Sequence, residues 1–183
     1  MDHTSLLTFK AIVGFIADLN NEFGAKYKSI ALYNRLLSKT GIVNIEPIRK
    51  HIDCFKTFFE TNMEALVNRN PALFNQPKIS YSSNVYVDVN IVLKHSTKEN
   101  AQVIWQHLLT IWGLIDPSSN AKKILSELTK NKGGDNETKF FTNILEKVEK
   151  SVSEKSIDTS NPMAAVTSLL RDRKSTRLNS SHQ

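Results

Sequence analysis

Setting aside His182 in the last residues, Asp172–Gln183, reactive chemistry in this chain would have to run through the other four of its five histidines and one thiol: His3, His51, His95, His107 and Cys54. His95 and His107 flank a predicted helix start, and Asp88 or Asp116 would supply the carboxylate of an acid–base cluster with them. Their spacing does not require them to meet, so we expect no catalytic residue and no enzyme. Zinc sites need Cys and His clustered at short intervals, and the histidines here are scattered around a lone thiol, so no metal is expected. The six glycines, at 14, 24, 41, 113, 133 and 134, form no GxG, and no GxxxxGK[ST] follows the predicted strand. Both phosphate-cradling loops are therefore missing, and no cofactor is expected. Cys54 adjoins Asp53, whose charge disfavours a thiolate, while Lys50 one turn earlier opposes it; a small packing residue is the expectation. His51 shares a helical stripe with Phe55, Phe58 and Asn62, where a buried imidazole should be satisfied by hydrogen bonds.

The elements that would hold these residues are mostly helices. Leu6, Phe9, Ile12, Ile16, Leu19 and Phe23 recur at intervals of three and four before Gly24, which marks a helix with a glycine stop. Ile30, Tyr33, Leu36 and Leu37 repeat that period up to Thr40. Ile48, Ile52, Phe55, Phe59, Met63 and Leu66 extend it again, with Asn44 as cap and Pro47 in the first turn, predicting one long third helix that ends before Pro71. The period then becomes two: Val85, Val87, Val89 and Ile91 alternate with polar or aromatic residues as in a half-buried strand. Ile79 and Tyr81 are placed to pair with it across Ser82–Asn84. A lone hairpin is marginal in water, so it must lean on the helices.

The stretch Asn100–Ile115 carries no formal charge if His107 is neutral, and it is apolar around most of its circumference. Only Gln102, Gln106, Thr110 and Gly113 relieve it, along one narrow stripe. It falls short of the roughly 20 residues that span a bilayer, so it should be a buried central helix capped by Thr97, with Trp105 and Trp112 on one face. Asp116 and Pro117 end it, and Ser118 or Ser119 caps a further helix carrying Ile124, Leu125 and Leu128. The N-terminal apolar stretch is interrupted by Lys10 and lacks a basic leader, so neither a signal peptide nor a membrane partner is expected.

The compact domain should span residues 1–130. Beyond it we expect a linker at 131–137, an amphipathic helix at 138–150, a second linker at 151–160 and the start of a helix at 161–171. Phe140, Phe141, Ile144, Leu145 and Val148 give the tail helix an apolar face, which would either dock back on the domain or on missing C-terminal sequence, or bind a protein partner. The last residues, Asp172–Gln183, read DRKSTRLNSSHQ and resemble a translated Illumina sequencing adapter. We expect them to be an artefact that replaces a natural C-terminus lost beyond Arg171. Arg173, Lys174 and Arg177 against Asp172 supply two of the six net positive charges, leaving a mild +4. Its candidate nucleic-acid contacts are scattered: Lys26, Lys28, Arg35 and Lys39, then Arg49 with Lys50, then Lys122 with Lys123. A single cysteine excludes an intrachain disulfide framework and fits a reducing compartment.

The segments ALYNRLLSKT (31–40), RKHIDCFKTFFETN (49–62), ISYSSNVYVDVNIVL (79–93) and IWQHLLTIWGLIDPSSNAKKIL (104–125) resemble an uncharacterised protein family of nucleocytoplasmic large DNA viruses, over about residues 5–128. That resemblance implies a host-cell address, cytoplasmic factory or virion, and carries no activity. The expectation is a mainly α protein: a helical bundle around a buried central helix, with one small β-hairpin and tethered C-terminal amphipathic helices. Its function should be a non-enzymatic interaction or structural role with a protein partner. The alternative is a nucleic-acid-associated accessory factor in viral transcription or replication. The sequence sets no oligomeric state.

Overall fold

The structure is a computed structural model that describes residues 2–132. Helix α1 (His3–Phe23) starts where Asp2 accepts a hydrogen bond from the Ser5 N–H at 2.7 Å, and it turns Leu6, Phe9, Ile12, Phe15, Ile16 and Leu19 inward. Helices α2 (Lys28–Lys39) and α3 (Ile45–Thr61) are more sharply amphipathic, burying Ile30, Tyr33 and Leu37, and Ile48, His51, Phe55, Phe58 and Phe59 respectively. A short α4 (Met63–Asn68) and a single 3-10 turn at Pro71–Leu73 lead to strands β1 (Lys78–Ser80) and β2 (Tyr86–Asp88). Then come α5 (Val89–Lys94), α6 (Lys98–Ile115) and α7 (Ala121–Lys132). The architecture is the expected one, mainly helical with one small antiparallel hairpin.

Helix α6 is the central rod. Thr97 caps it by accepting from the Asn100 N–H at 3.1 Å, and every residue from Ile104 to Leu114 is buried. Trp105 lies nearly parallel to Phe74, with ring centroids 5.9 Å apart, and Trp112 meets Phe59 at 6.3 Å. Helices α1, α3 and α7 all pack against it. Offset aromatic pairs of this kind add to the large apolar area that two indoles remove from water.

Two expectations fail, each for a local reason. The third helix does not run unbroken to Pro71: Asn62 interrupts it, and Met63, expected on the inner face, is 51% exposed. The alternation Val85–Ile91 does not make a long strand either. Asp88 ends β2 and accepts from the Ile91 N–H at 3.1 Å, which starts α5 at Val89. Val89, Val92 and Leu93 then bury together at helical spacing while Ile91 is left exposed. A carboxylate cap and a second apolar period coincided there, and together they override the two-residue repeat.

Candidate functional site

The acid–base cluster sought around His95 and His107 is not assembled. His107 lies midway along α6, buried, with Nε2 3.1 Å from a carboxylate oxygen of Asp18 on α1 and its ring 5.1 Å from that of Phe15. His95 is exposed at the C-terminal end of α5, beside the Tyr27 ring. Both expected carboxylates are occupied locally: Asp88 caps α5, and Asp116 accepts from the Ser118 N–H and hydroxyl. Asp18 was missed because periodicity marks only apolar positions. The available signal was an acid beside Leu19 on the inward stripe of α1, since a buried carboxylate demands a buried partner.

His51 also departs from expectation. It is fully buried, yet neither ring nitrogen has a hydrogen-bond partner among the described residues. Tyr81 stacks on it at 4.4 Å and Tyr33 at 5.8 Å, with Phe9 at 5.9 Å. Burial, helped by the neighbouring Lys50 charge, pushes the imidazole down to about 4, so at neutral pH it is an uncharged ring in an aromatic cage. Burial likewise raises the Tyr33 phenol, whose hydroxyl is also unsatisfied.

Next to this cage lies a groove of about 530 Å³ between α3 and the segment that leads into β1. One wall is α3, with Lys50, Cys54, Thr57, Phe58 and Thr61 at successive helical turns. Gln76, Pro77, Lys78 and Ser80 line the other wall. The buried Asn62 side chain holds the walls together. Its amide nitrogen donates to the carbonyls of Phe58 and Gln76 at 2.9 and 2.8 Å, and its oxygen accepts from the N–H groups of Asn75 and Gln76 at 2.8 and 3.2 Å. At the break in the helix, Asn62 thus ties α3 to the segment that leads into β1.

Among the described residues, the strand edge in the groove is unpaired. Ile79 faces Val87, and the flanking bonds run from the Val89 N–H to the Pro77 carbonyl and from the Tyr81 N–H to the Val85 carbonyl. Residues 77, 79 and 81 therefore point their backbone groups at β2. Antiparallel ladders alternate, so Lys78 and Ser80 direct theirs away from it. Those two strand residues line the groove, while Ile79 is buried beneath. Cys54, half-buried, has its thiol pushed up by burial, against the pull of Lys50, which makes it a poor nucleophile at neutral pH.

Of the candidate basic residues, Lys26, Lys28, Arg35, Lys39, Arg49, Lys50 and Lys123 are exposed and Lys122 is half-buried. Lys28, Arg35 and Lys39 share one face of α2, a helix that contains no acid. Arg49 pairs with Glu46 at 3.3 Å, and Lys50 sits 4.1 Å over the Tyr81 ring. Lys122 and Lys123 are on α7, which packs on α6. Phe140, Phe141, Ile144, Leu145 and Val148 lie outside the described residues. Among those described, no helix is long and apolar enough to cross a membrane, and no group of three His, Cys, Asp or Glu is placed to hold a metal.

No curated protein and no solved structure matches the chain. A family of unknown function (DUF5891) matches it over residues 8–161, a span that includes the α3 and β1 residues lining the groove, and the chain belongs to that family.

Proposed function

We propose that this protein is a non-enzymatic interaction module that binds a protein partner in the groove between α3 and β1. The observation that carries this is the unpaired edge of β1 lining a roomy groove: backbone donors and acceptors beside an apolar floor are what a polypeptide ligand uses. The ionisable groups support it from the other side. The His107–Asp18 pair is sealed in the core, His51 is caged, and the thiol facing the groove is held protonated, so no activated nucleophile meets a base there.

The single cysteine makes the test direct. A benzophenone attached to Cys54 should photo-crosslink a protein partner, and Thr57→Trp, which fills the groove, should abolish the product. Crosslinking undiminished by Thr57→Trp would refute the assignment.

A second function is favoured by α2, whose exposed Lys28, Arg35 and Lys39 align without an opposing acid. A nucleic-acid accessory role predicts oligonucleotide binding that weakens steeply with salt and is lost on reversing those three charges. The resemblance to large DNA virus proteins supports an infected host cell as the setting for either function, with the viral factory or the virion as the address. Immunolocalisation against a marker of viral factories tests that address.

A further inference from the structure

We infer that β1 takes a short extended segment of the partner as a third strand, with an acidic side chain opposite Lys78 and a compact apolar one next to it. This rests on the groove being the protein-binding surface, as proposed above, and adds the mode and chemistry of binding. Lys78 and Ser80 each offer one N–H and one C=O to the open side, so an antiparallel segment would form two bonded pairs two residues apart. The ligand residues at those pairs project on the exposed face shared by the Lys78 and Ser80 side chains. The residue between them projects inward, on the side of the buried Ile79, towards Cys54 and Phe58 of the α3 wall.

Charge selects the outward residue. Lys50, Asp53 and Lys78 are the charged residues lining the groove, an excess of one positive charge. Neither lysine is ion-paired among the described residues; they rest instead over tyrosine rings, Lys50 on Tyr81 and Lys78 on Tyr86 at 4.6 Å. Asp88 faces Lys78 across the hairpin without an ion pair to it among the described residues, and its Oδ1 caps α5. A carboxylate opposite Lys78 would form a cross-strand pair. The same lysine disfavours a second copy of this chain, because antiparallel pairing of two β1 edges would bring two Lys78 charges close together.

The probes are the blocked pentapeptide Val-Ser-Val-Glu-Val, whose fourth residue lies opposite Lys78 in the antiparallel register, and its charge-reversed form Val-Ser-Val-Lys-Val, titrated into the full chain. The acidic peptide should shift the Lys78 and Ser80 amide resonances, slow hydrogen exchange at the Ser80 amide, and protect Cys54 from iodoacetamide. It should bind at least tenfold tighter than the basic one, a preference that Lys78→Glu reverses. Ser80→Pro removes an outward donor without touching the ladder, and should weaken binding tenfold or more where Ser80→Ala does not. If Ser80→Pro disturbs the fold, the exchange slowing at Ser80 in the unmutated chain decides alone. Unchanged exchange, or full binding by a folded Ser80→Pro chain, overturns strand addition; the groove itself survives that result only if Thr57→Trp still blocks the peptide. No binding of either peptide at millimolar concentration overturns the inference. So does oligothymidylate moving the same amides with a steep salt dependence, which would assign the edge to nucleic acid.

Discussion

Two histidines on neighbouring helices sit in opposite kinds of interior. His107, on α6, is locked to Asp18 where α1 crosses the central rod, in a buried stretch of the helix whose other polar side chains are Gln106 and Thr110. His51, on α3, has no polar partner among the described residues and lies against three aromatic rings, one helical turn from the groove. The first region spends its polar groups on holding two helices in one register. The second tolerates unsatisfied nitrogens and keeps its outer wall, Lys50, Cys54 and Thr57, available. The fold thus sets a region committed to its own packing beside one with an accessible wall, and substitutions in the two should differ sharply.

The largest effect should come from the rod itself. Trp105→Ala empties a core site beside Phe74 and should cost about 3 to 5 kcal/mol, read by urea unfolding. Thr57→Ala, on the exposed wall of the groove, should stay within about 0.5 kcal/mol. Equal costs at the two sites would erase the distinction between the regions.

Next is the buried pair. Asp18→Ala leaves His107 without its carboxylate and should cost roughly 3 kcal/mol. Replacing both residues by leucine removes both polar groups, so the double variant should be more stable than Asp18→Ala. If instead the double variant is the less stable, the pair does more than join two helices.

Asn62→Ala should cost about 2 to 3 kcal/mol, because the part-buried backbone groups of Asn75 and Gln76 lose their shared partner together. Unlike the core substitutions, it should also release the strand from α3. Peptide binding should then fall by more than the stability loss alone predicts, as judged by titration at a temperature where the variant is fully folded.

How much of this was legible in the sequence follows from what each element depends on. Helices α1, α2 and α6 rest on apolar stripes at the helical period, and the uncharged, tryptophan-bearing stretch announced its own burial. The Asn62 break was not legible, since its cause is an amide bonded to backbone 13 and 14 residues later, which no local period records. The Asp18–His107 contact spans 89 residues and is visible only once α1 is laid against α6. The groove was missed for the same reason: its open edge is a matter of ladder register. Helix α5 had a legible cap in Asp88, but a competing alternation hid it.

The smallest effect expected at a buried site sharpens the comparison from the His51 side. The ring's folded-state value of about 4 lies below its ordinary 6.5, so the unfolded chain binds a proton that the folded chain refuses. Stability from the neutral ring is therefore complete above pH 6.5 and is lost as pH falls through about 4. His51→Phe keeps an aromatic ring in the cage, removes two unsatisfied nitrogens, and should alter stability at pH 7 by about 1 kcal/mol or less. Its advantage should grow as the buffer is taken from pH 6.5 to pH 4.5, measured as the difference between the two chains so that the Asp18–His107 pair cancels. A difference that stays flat over that interval would mean that the imidazole finds a proton-accepting partner, and that the two histidines are less unlike than their surroundings indicate.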